Sequence, residues 1–293
     1  MEKEYLIGVD LGGTKIEAGL VDLNGKVVKK IVMPTEASKG KAQVIQNIVF
    51  CVNKLRKDTI LGVGVGIPGP TDFRRGVAMN PPNLPGWKEV PLKKILEEKL
   101  HLNVAVENDA KCFALAEYKC GYEKKVQNLV GITVGTGIGS GIIINGKLYR
   151  GSADSAGEIG HMKIVDDGAK CGCGNSGCLE QYASGRAIER MFFEMTKKKL
   201  STEEIAELSK TNAKARKAIE TAAMYLGRGL ANVAVTLSPE IIVVDGGVAK
   251  IKNFVSMAEK EALNHMKILP RKVPIIHSKT EDAGILGAAS IVF

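Results

Sequence analysis

Residues 129–147, LVGITVGTGIGSGIIINGK, follow the plan of residues 6–26, LIGVDLGGTKIEAGLVDLNGK. Each copy runs as an apolar strand, a glycine/threonine turn, a second apolar strand and then Asn-Gly-Lys. The copies lie too far apart in the chain for a solenoid, so the repeat predicts two duplicated domains facing each other. Two such turns facing across a cleft can hold a phosphate chain from both sides. A length of 293 residues suits two domains better than one core.

Strands and helices alternate around the repeats. Apolar runs at 5–10, 16–22, 26–33, 60–67, 103–107, 241–244 and 273–277 read as strands. Helical spacing marks 41–55, 91–100, 185–195, 202–208, 213–237, 251–265 and 283–292, the last with glycine and alanine on one face. Pro68-Gly69-Pro70 stops a strand, and residues 79–87, MNPPNLPGW, form a proline-rich loop. Asn24-Gly25 is the signature of a type I′ hairpin turn. The alternation predicts the α/β class.

Apolar residues make up 45% and charged residues 25%, the balance of an ordinary globular chain. The net charge is +9, but the lysines are spread out and runs such as 197–199 carry no interleaved aromatics. That predicts a solvated surface and no nucleic-acid partner, while a positive balance suits a polyanionic ligand such as a nucleotide. Glu2, Lys3 and Glu4 lead straight into a strand, so no signal peptide is expected. The longest uncharged stretch, 126–146, is studded with glycine and polar residues and is not a membrane span. Cys51, Cys112 and Cys120 read as free thiols, which suits a reducing cytoplasm.

Asp10–Lys15, DLGGTK, carries the first chemical signal. Gly12 and Gly13 let backbone N–H groups approach a phosphate, Thr14 adds a hydroxyl and Lys15 a charge. Asp10, at the strand end, is placed to hold Mg²⁺ directly or through water. The alternative is a plain tight hairpin. The turn lacks the G-x₄-G-K-[ST] pattern of a P-loop and leads into a strand rather than the helix of a dinucleotide-binding turn. Glu107-Asn108-Asp109-Ala110 sits between a strand and a helix. An aspartate there accepts a hydroxyl proton while the asparagine orients the alcohol, the arrangement phosphoryl transfer uses. A helix cap at Asn108 or Asp109 explains the same residues equally well.

In residues 156–180, AGEIGHMKIVDDGAKCGCGNSGCLE, His161 is followed by Cys171, Cys173 and Cys178. One imidazole and three thiols at this spacing are a usual ligand set for a tetrahedral structural zinc. Glycines at 172, 174 and 177 allow the tight turns such convergence needs. A disulfide would leave a third thiol unpaired. Glu158 and Glu180 flank the ligands, and a rigid metal loop would fix both carboxylates for hydrogen bonds to a polyhydroxyl ligand; the alternative is that both are solvated surface charges.

Together DLGGTK, GIPGP at 66–70, PPNLPGW at 81–87, ENDA at 107–110, GTGIGSG at 135–141, AGEIGH at 156–161, CGCGNSGCLE at 171–180 and DGG at 245–247 resemble the ROK family of sugar kinases, within the actin/hexokinase-like superfamily. The resemblance implies two duplicated actin-like, ribonuclease H-like α/β domains around a cleft. Residues 1–108 with 281–293 would form one domain, and 109–280, with the zinc loop at 161–178, the other. It implies that Asp109 is the general base for the sugar 6-hydroxyl, and that Asn83, Asn108, Asp109, Glu158, His161 and Glu180 bind the sugar. His161 would then serve zinc through one ring nitrogen and the sugar through the other. Asp10, Gly12, Gly13, Thr14 and Lys15, with Thr136 and Gly137, resemble the phosphate turns, and Gly246 and Gly247 the part along the adenosine.

The expectation is a cytoplasmic ATP-dependent glucokinase using Mg²⁺ with ATP and structural Zn²⁺, assembled as a homodimer or homotetramer. The alternatives are a kinase for N-acetylmannosamine, N-acetylglucosamine, mannose or fructose, and a non-catalytic sugar-binding regulator. Against the regulator stand Asp109 itself and the early position of Asp10, which leaves no room for a helix-turn-helix domain before it.

Overall fold

The computed structural model describes residues 3–57 and 59–292. Met1, Glu2, Asp58 and Phe293 lie outside the described residues, Glu2 of the expected N-terminal run among them. The elements begin with β1 (Glu4–Leu11), β2 (Lys15–Asp22), β3 (Val27–Pro34), α1 (Lys41–Leu55) and β4 (Thr59–Ile67). A small hairpin, β5 (Thr71–Asp72) and β6 (Val77–Ala78), precedes α2 (Leu92–Leu100), β7 (Val104–Asn108) and α3 (Asp109–Ala116). Then come β8 (Leu129–Val134), β9 (Ile138–Ile144), β10 (Lys147–Tyr149), α4 (Glu180–Ala183), α5 (Gly185–Thr196), α6 (Thr202–Leu208) and α7 (Ala213–Leu237). The chain ends with β11 (Ile241–Asp245), α8 (Phe254–His265), β12 (Ile275–His277) and α9 (Ala283–Ser290).

The repeat in the sequence is a repeat in topology. One sheet has the order β3-β2-β1-β4-β7 and the other β10-β9-β8-β11-β12. In each, three antiparallel strands are followed by two that pair in parallel. Central strands such as β4 are buried along most of their length, because helices cover parallel strands on both faces. α1 offers its stripe of Val44, Ile48, Val52 and Leu55 to the core shared with β1, β2 and β4.

The chain divides into two compact units: Met1–Lys125, Gly141–Ala156 and Lys279–Phe293, and Val126–Ser140 with Gly157–Ser278. This division keeps α3 and residues 141–156 with the first unit, on the other side of the sequence boundary at 108/109. For α3 the reason is packing by small residues. A Cβ on Gly64 would lie 1.7 Å from the Ala288 carbonyl oxygen, and one on Gly287 would lie 1.9 Å from that of Cys112. The glycine and alanine face of α9 therefore meets β4 and α3 backbone to backbone.

Two local expectations change. At Asn24-Gly25, φ is positive at Gly25 (78°) and not at Asn24. The Asp22 side chain accepts the Asn24 and Lys26 amides at 3.0 and 2.9 Å, and the Gly25 amide bonds the Asp22 carbonyl, which makes this a type I turn closed by a glycine bulge. The type I′ signature appears instead at the repeat partner, where Asn145 (φ 49°) and Gly146 (φ 72°) are both left-handed. Helix α8 begins at Phe254 rather than 251, because Asn253 is itself left-handed (φ 64°). Among the described residues, no helix is long and apolar enough to cross a membrane.

Candidate active and metal sites

Asp10, Gly12, Gly13, Thr14, Lys15, Asn83, Asn108 and Asp109 fall in the first unit. Thr136, Gly137, Glu158, His161, Cys171, Cys173, Cys178, Glu180, Gly246 and Gly247 fall in the second.

In the first unit, parallel pairing sets Asp10 beside Gly66 and Ile67 beside Asn108, so Asp10 and Asp109 come off the same ends of strands in one sheet. Asn108 caps α3: its Oδ1 accepts the Lys111 amide at 3.1 Å. Its Nδ2 donates to Asp109 Oδ1 at 3.0 Å and to the Gly69 carbonyl at 3.1 Å. Asp109 Oδ1 also accepts the Ala110 amide at 2.8 Å. Asn108 thus caps the helix and holds the Asp109 carboxylate with the same side chain. Burial pushes the Asp109 carboxyl up to about 7, with the negative charge of Asp10 adding to it. Asp10 is raised to about 6, by burial first and then by Glu17, against Lys15 and Lys30.

The first glycine turn closes through the Gly12 amide on the Lys15 carbonyl (2.9 Å) and the Thr35 hydroxyl on the Gly12 carbonyl (2.6 Å). Thr14 and Lys15 are exposed, and Lys15 Nζ pairs with Glu17 at 2.8 Å. The proline-rich loop is anchored by buried Leu84 and Trp87, which holds Asn83 outward against the turn. A Cβ on Gly13 would lie 2.7 Å from Asn83 Cβ.

Arg150 had no sequence signal, and its partner Glu107 was visible only as the first residue of the 107–110 motif. Arg150 Nε donates to Glu107 Oε2 at 2.6 Å, and its guanidinium lies 3.7 Å over the Phe73 ring. Glu107 is fully buried, and its Oε1 takes the Asn108 amide at 2.9 Å and the Thr71 hydroxyl at 3.2 Å.

In the second unit, the Gly135 amide bonds the Gly137 carbonyl (2.9 Å), and the Gly185 amide bonds the Gly135 carbonyl (2.8 Å). Gly246 (φ 106°) sits against the Val134 carbonyl, whose oxygen also accepts the Val248 amide at 3.0 Å. The second glycine turn and Gly246-Gly247 are thereby neighbours. Beside Gly247 opens a cavity of 590 Å³ whose lining includes Thr202, Arg216, Ile219, Lys250 and Met257. His277, another residue without sequence signal, brings Nε2 within 3.8 Å of Asp245 Oδ1. Glu180 Oε2 accepts the Ile138 amide at 3.0 Å.

The ligand atoms of His161, Cys171, Cys173 and Cys178 all lie within 4.8 Å of one another. Cys171 Sγ is 3.5 Å from His161 Nδ1, and Cys173 Sγ is 3.7 Å from Cys178 Sγ. A tetrahedron with metal–sulfur bonds of about 2.3 Å has edges of about 3.8 Å, so the donor set fits zinc in kind and in spacing. Gly174 (φ 93°) and Gly177 (φ 80°) make the turns, and Gly172 is not left-handed. An Asn175 amide draws the Cys173 thiol down to about 7, while burial pushes Cys178 up to about 12. The imidazole faces two ways: Nε2 is 3.9 Å from Glu158 Oε2. All six cysteines are free.

The ROK family model matches residues 6–293. The chain belongs to the ROK family. This ROK protein is 35% identical to a glucokinase of Thermotoga maritima, over 100% of its own length and 98% of the relative's. A ROK hexokinase structure from Thermus thermophilus superposes with a TM-score of 0.88 at 34% identity, covering 98% of this chain and 97% of that one. A ROK glucokinase from Streptomyces griseus, solved with glucose and AMPPNP, gives 0.86 at 32% identity, covering 98% of each. The two-sheet α/β fold expected from the repeat is the fold of these ROK structures.

Proposed function

We propose that this protein is an ATP-dependent sugar kinase that phosphorylates the 6-hydroxyl of glucose. The observation that carries the reading is the full-length match, at 32% identity, to a ROK glucokinase holding glucose and AMPPNP.

Asp109 is the general base. Two donors hold Oδ1 and leave Oδ2 for the hydroxyl proton. Its raised affinity for a proton matches it to work near neutral pH. Asn83, Asn108, Glu158, His161 and Glu180 bind the sugar hydroxyls. Gly12, Gly13, Thr14, Lys15, Thr136 and Gly137 receive the phosphates through backbone and side-chain donors, and Gly246 and Gly247 lie along the adenosine, beside the cavity described above. Mg²⁺ bound with ATP would neutralise phosphate charge. Asp10 would hold it, an acceptor-only carboxylate of the kind a hard cation takes. His161 Nδ1, Cys171, Cys173 and Cys178 would hold a structural zinc, which would stiffen the loop between Glu158 and Glu180 and leave His161 Nε2 for the sugar. Free thiols fit a cytoplasmic enzyme. The family resemblance favours a homodimer or homotetramer. The test is ADP release from Mg-ATP with a panel of hexoses, with glucose expected to lead.

A further inference from the structure

In each half of the molecule, a residue read as a sugar ligand is packed against a glycine of the phosphate turn. Asn83 lies against Gly13 in the first unit, where an added Cβ would come within 2.7 Å of the asparagine Cβ. Glu180 lies against Gly137 in the second, where an added Cβ would come within 2.3 Å of the carboxylate Oε2. The second contact is polar as well as steric. The same Oε2 accepts the amide of Ile138, the residue that ends the turn and opens β9, at 3.0 Å. A hydrogen bond from a backbone amide to a carboxylate is stronger than one between neutral groups. The far side of the turn is held too, by the Gly185 amide on the Gly135 carbonyl. Glu180 opens α4 and Gly185 opens α5, so two successive helix starts grip one turn.

We propose that Glu180 is a positioning residue for the Gly135–Gly137 turn as well as a sugar ligand, so that sugar and nucleotide bind interdependently through its carboxylate. The inference rests on the kinase reading above. One oxygen of Glu180 is committed to the Ile138 amide, so the sugar meets Oε1. A sugar that fixes the carboxylate fixes the turn, and a turn filled by phosphate fixes the carboxylate. Binding free energies of this kind are reciprocal: whatever factor glucose contributes to nucleotide affinity, nucleotide contributes to glucose affinity. Gly137 has no side chain because the carboxylate occupies its Cβ position, and its φ lies outside the left-handed region, so alanine there changes sterics and not backbone preference.

The experiment measures AMPPNP binding by calorimetry, with and without glucose, together with glucose affinity, for the full-length wild type, Glu180→Gln, Glu180→Ala and Gly137→Ala. Thermal melts verify that each variant is folded. Without glucose, Glu180→Ala is expected to weaken AMPPNP about tenfold, the scale of one hydrogen bond to a charged group. Glu180→Gln keeps an acceptor and is expected to lose less than about threefold. Gly137→Ala, which touches no sugar, is expected to weaken glucose about tenfold by displacing the carboxylate. If Glu180→Ala leaves AMPPNP within about twofold while glucose weakens, or Gly137→Ala leaves glucose affinity unchanged, Glu180 is a sugar ligand only and the proposal fails. A wild type that binds neither AMPPNP nor glucose overturns the kinase reading instead, a result separate from these ratios.

Discussion

Asn108 caps helix α3 with its Oδ1 and at the same time donates its Nδ2 to Asp109 Oδ1 at 3.0 Å. The residue that starts the helix therefore also sets the orientation of the carboxylate read as the base. Asp109→Asn is expected to lower kcat by about 10²–10⁴-fold with little change in AMPPNP or glucose affinity. Steady-state kinetics with calorimetry checks this, and a kcat within a factor of a few of wild type removes Asp109 from the base role.

The raised proton affinity of Asp109 makes a second claim. Its carboxyl is lifted to about 7 by burial and then by Asp10, so kcat/KM for glucose should rise with pH through about 7, not near the ordinary carboxylate value of 3.8. Asp10→Asn removes the neighbouring charge and is expected to shift that acid limb to lower pH. A limb below about pH 5 in the wild type speaks against a buried base.

The same shift carries a stability consequence of definite sign. Between 3.8, where the unfolded carboxyl gives up its proton, and about 7, where the folded one does, the folded chain binds more protons. Stability from this group therefore falls as pH rises through that window and stays lowered above it. Asp109→Asn is expected to melt above the wild type at about pH 8, with the difference shrinking toward about pH 4. Calorimetric melts at the two pH values check it, and a variant less stable at the higher pH contradicts it.

Much of this architecture was legible in the sequence because its signals are local. The strand-turn-strand repeat, the stripe on α1 and the Cys/His spacing each sit within a short stretch. What was not legible depends on distance or on one side chain. Arg150 meets Glu107 across 43 residues, and the motif that contains Glu107 does not point to its partner. The turn at Asn24-Gly25 was decided by Asp22 accepting two amides, which outweighs the dipeptide's preference for type I′. Glu180 was legible as a polar residue beside the metal loop, but its bond to Ile138 joins segments 42 residues apart.

The glycine face of the terminal helix is a packing claim. Gly64→Ala places a Cβ where the Ala288 carbonyl oxygen now lies. Overpacking of this kind costs about 1–3 kcal/mol and more when backbone must move. Urea denaturation should show the loss in the midpoint, and an unchanged midpoint contradicts the close contact of α9 with β4.

The Cys/His loop, read as a zinc site, predicts one zinc per chain. Stripping it with a chelator, or replacing Cys178 by serine, should loosen residues 161–178 and weaken glucose binding, because binding of a structural zinc and folding of its loop share one free energy, about 10 kcal/mol in small zinc modules. Elemental analysis and amide exchange over the loop check it. Full glucose affinity in metal-free, folded protein would confine zinc to a role remote from the sugar.

The most direct test of the whole account is a coupled ADP-release assay with Mg-ATP against a panel of hexoses, each at low and high concentration. The account predicts turnover led by glucose, with glucose 6-phosphate as product. No turnover with any hexose, from folded protein shown to contain zinc, would contradict it and leave a sugar-binding protein without the kinase reaction.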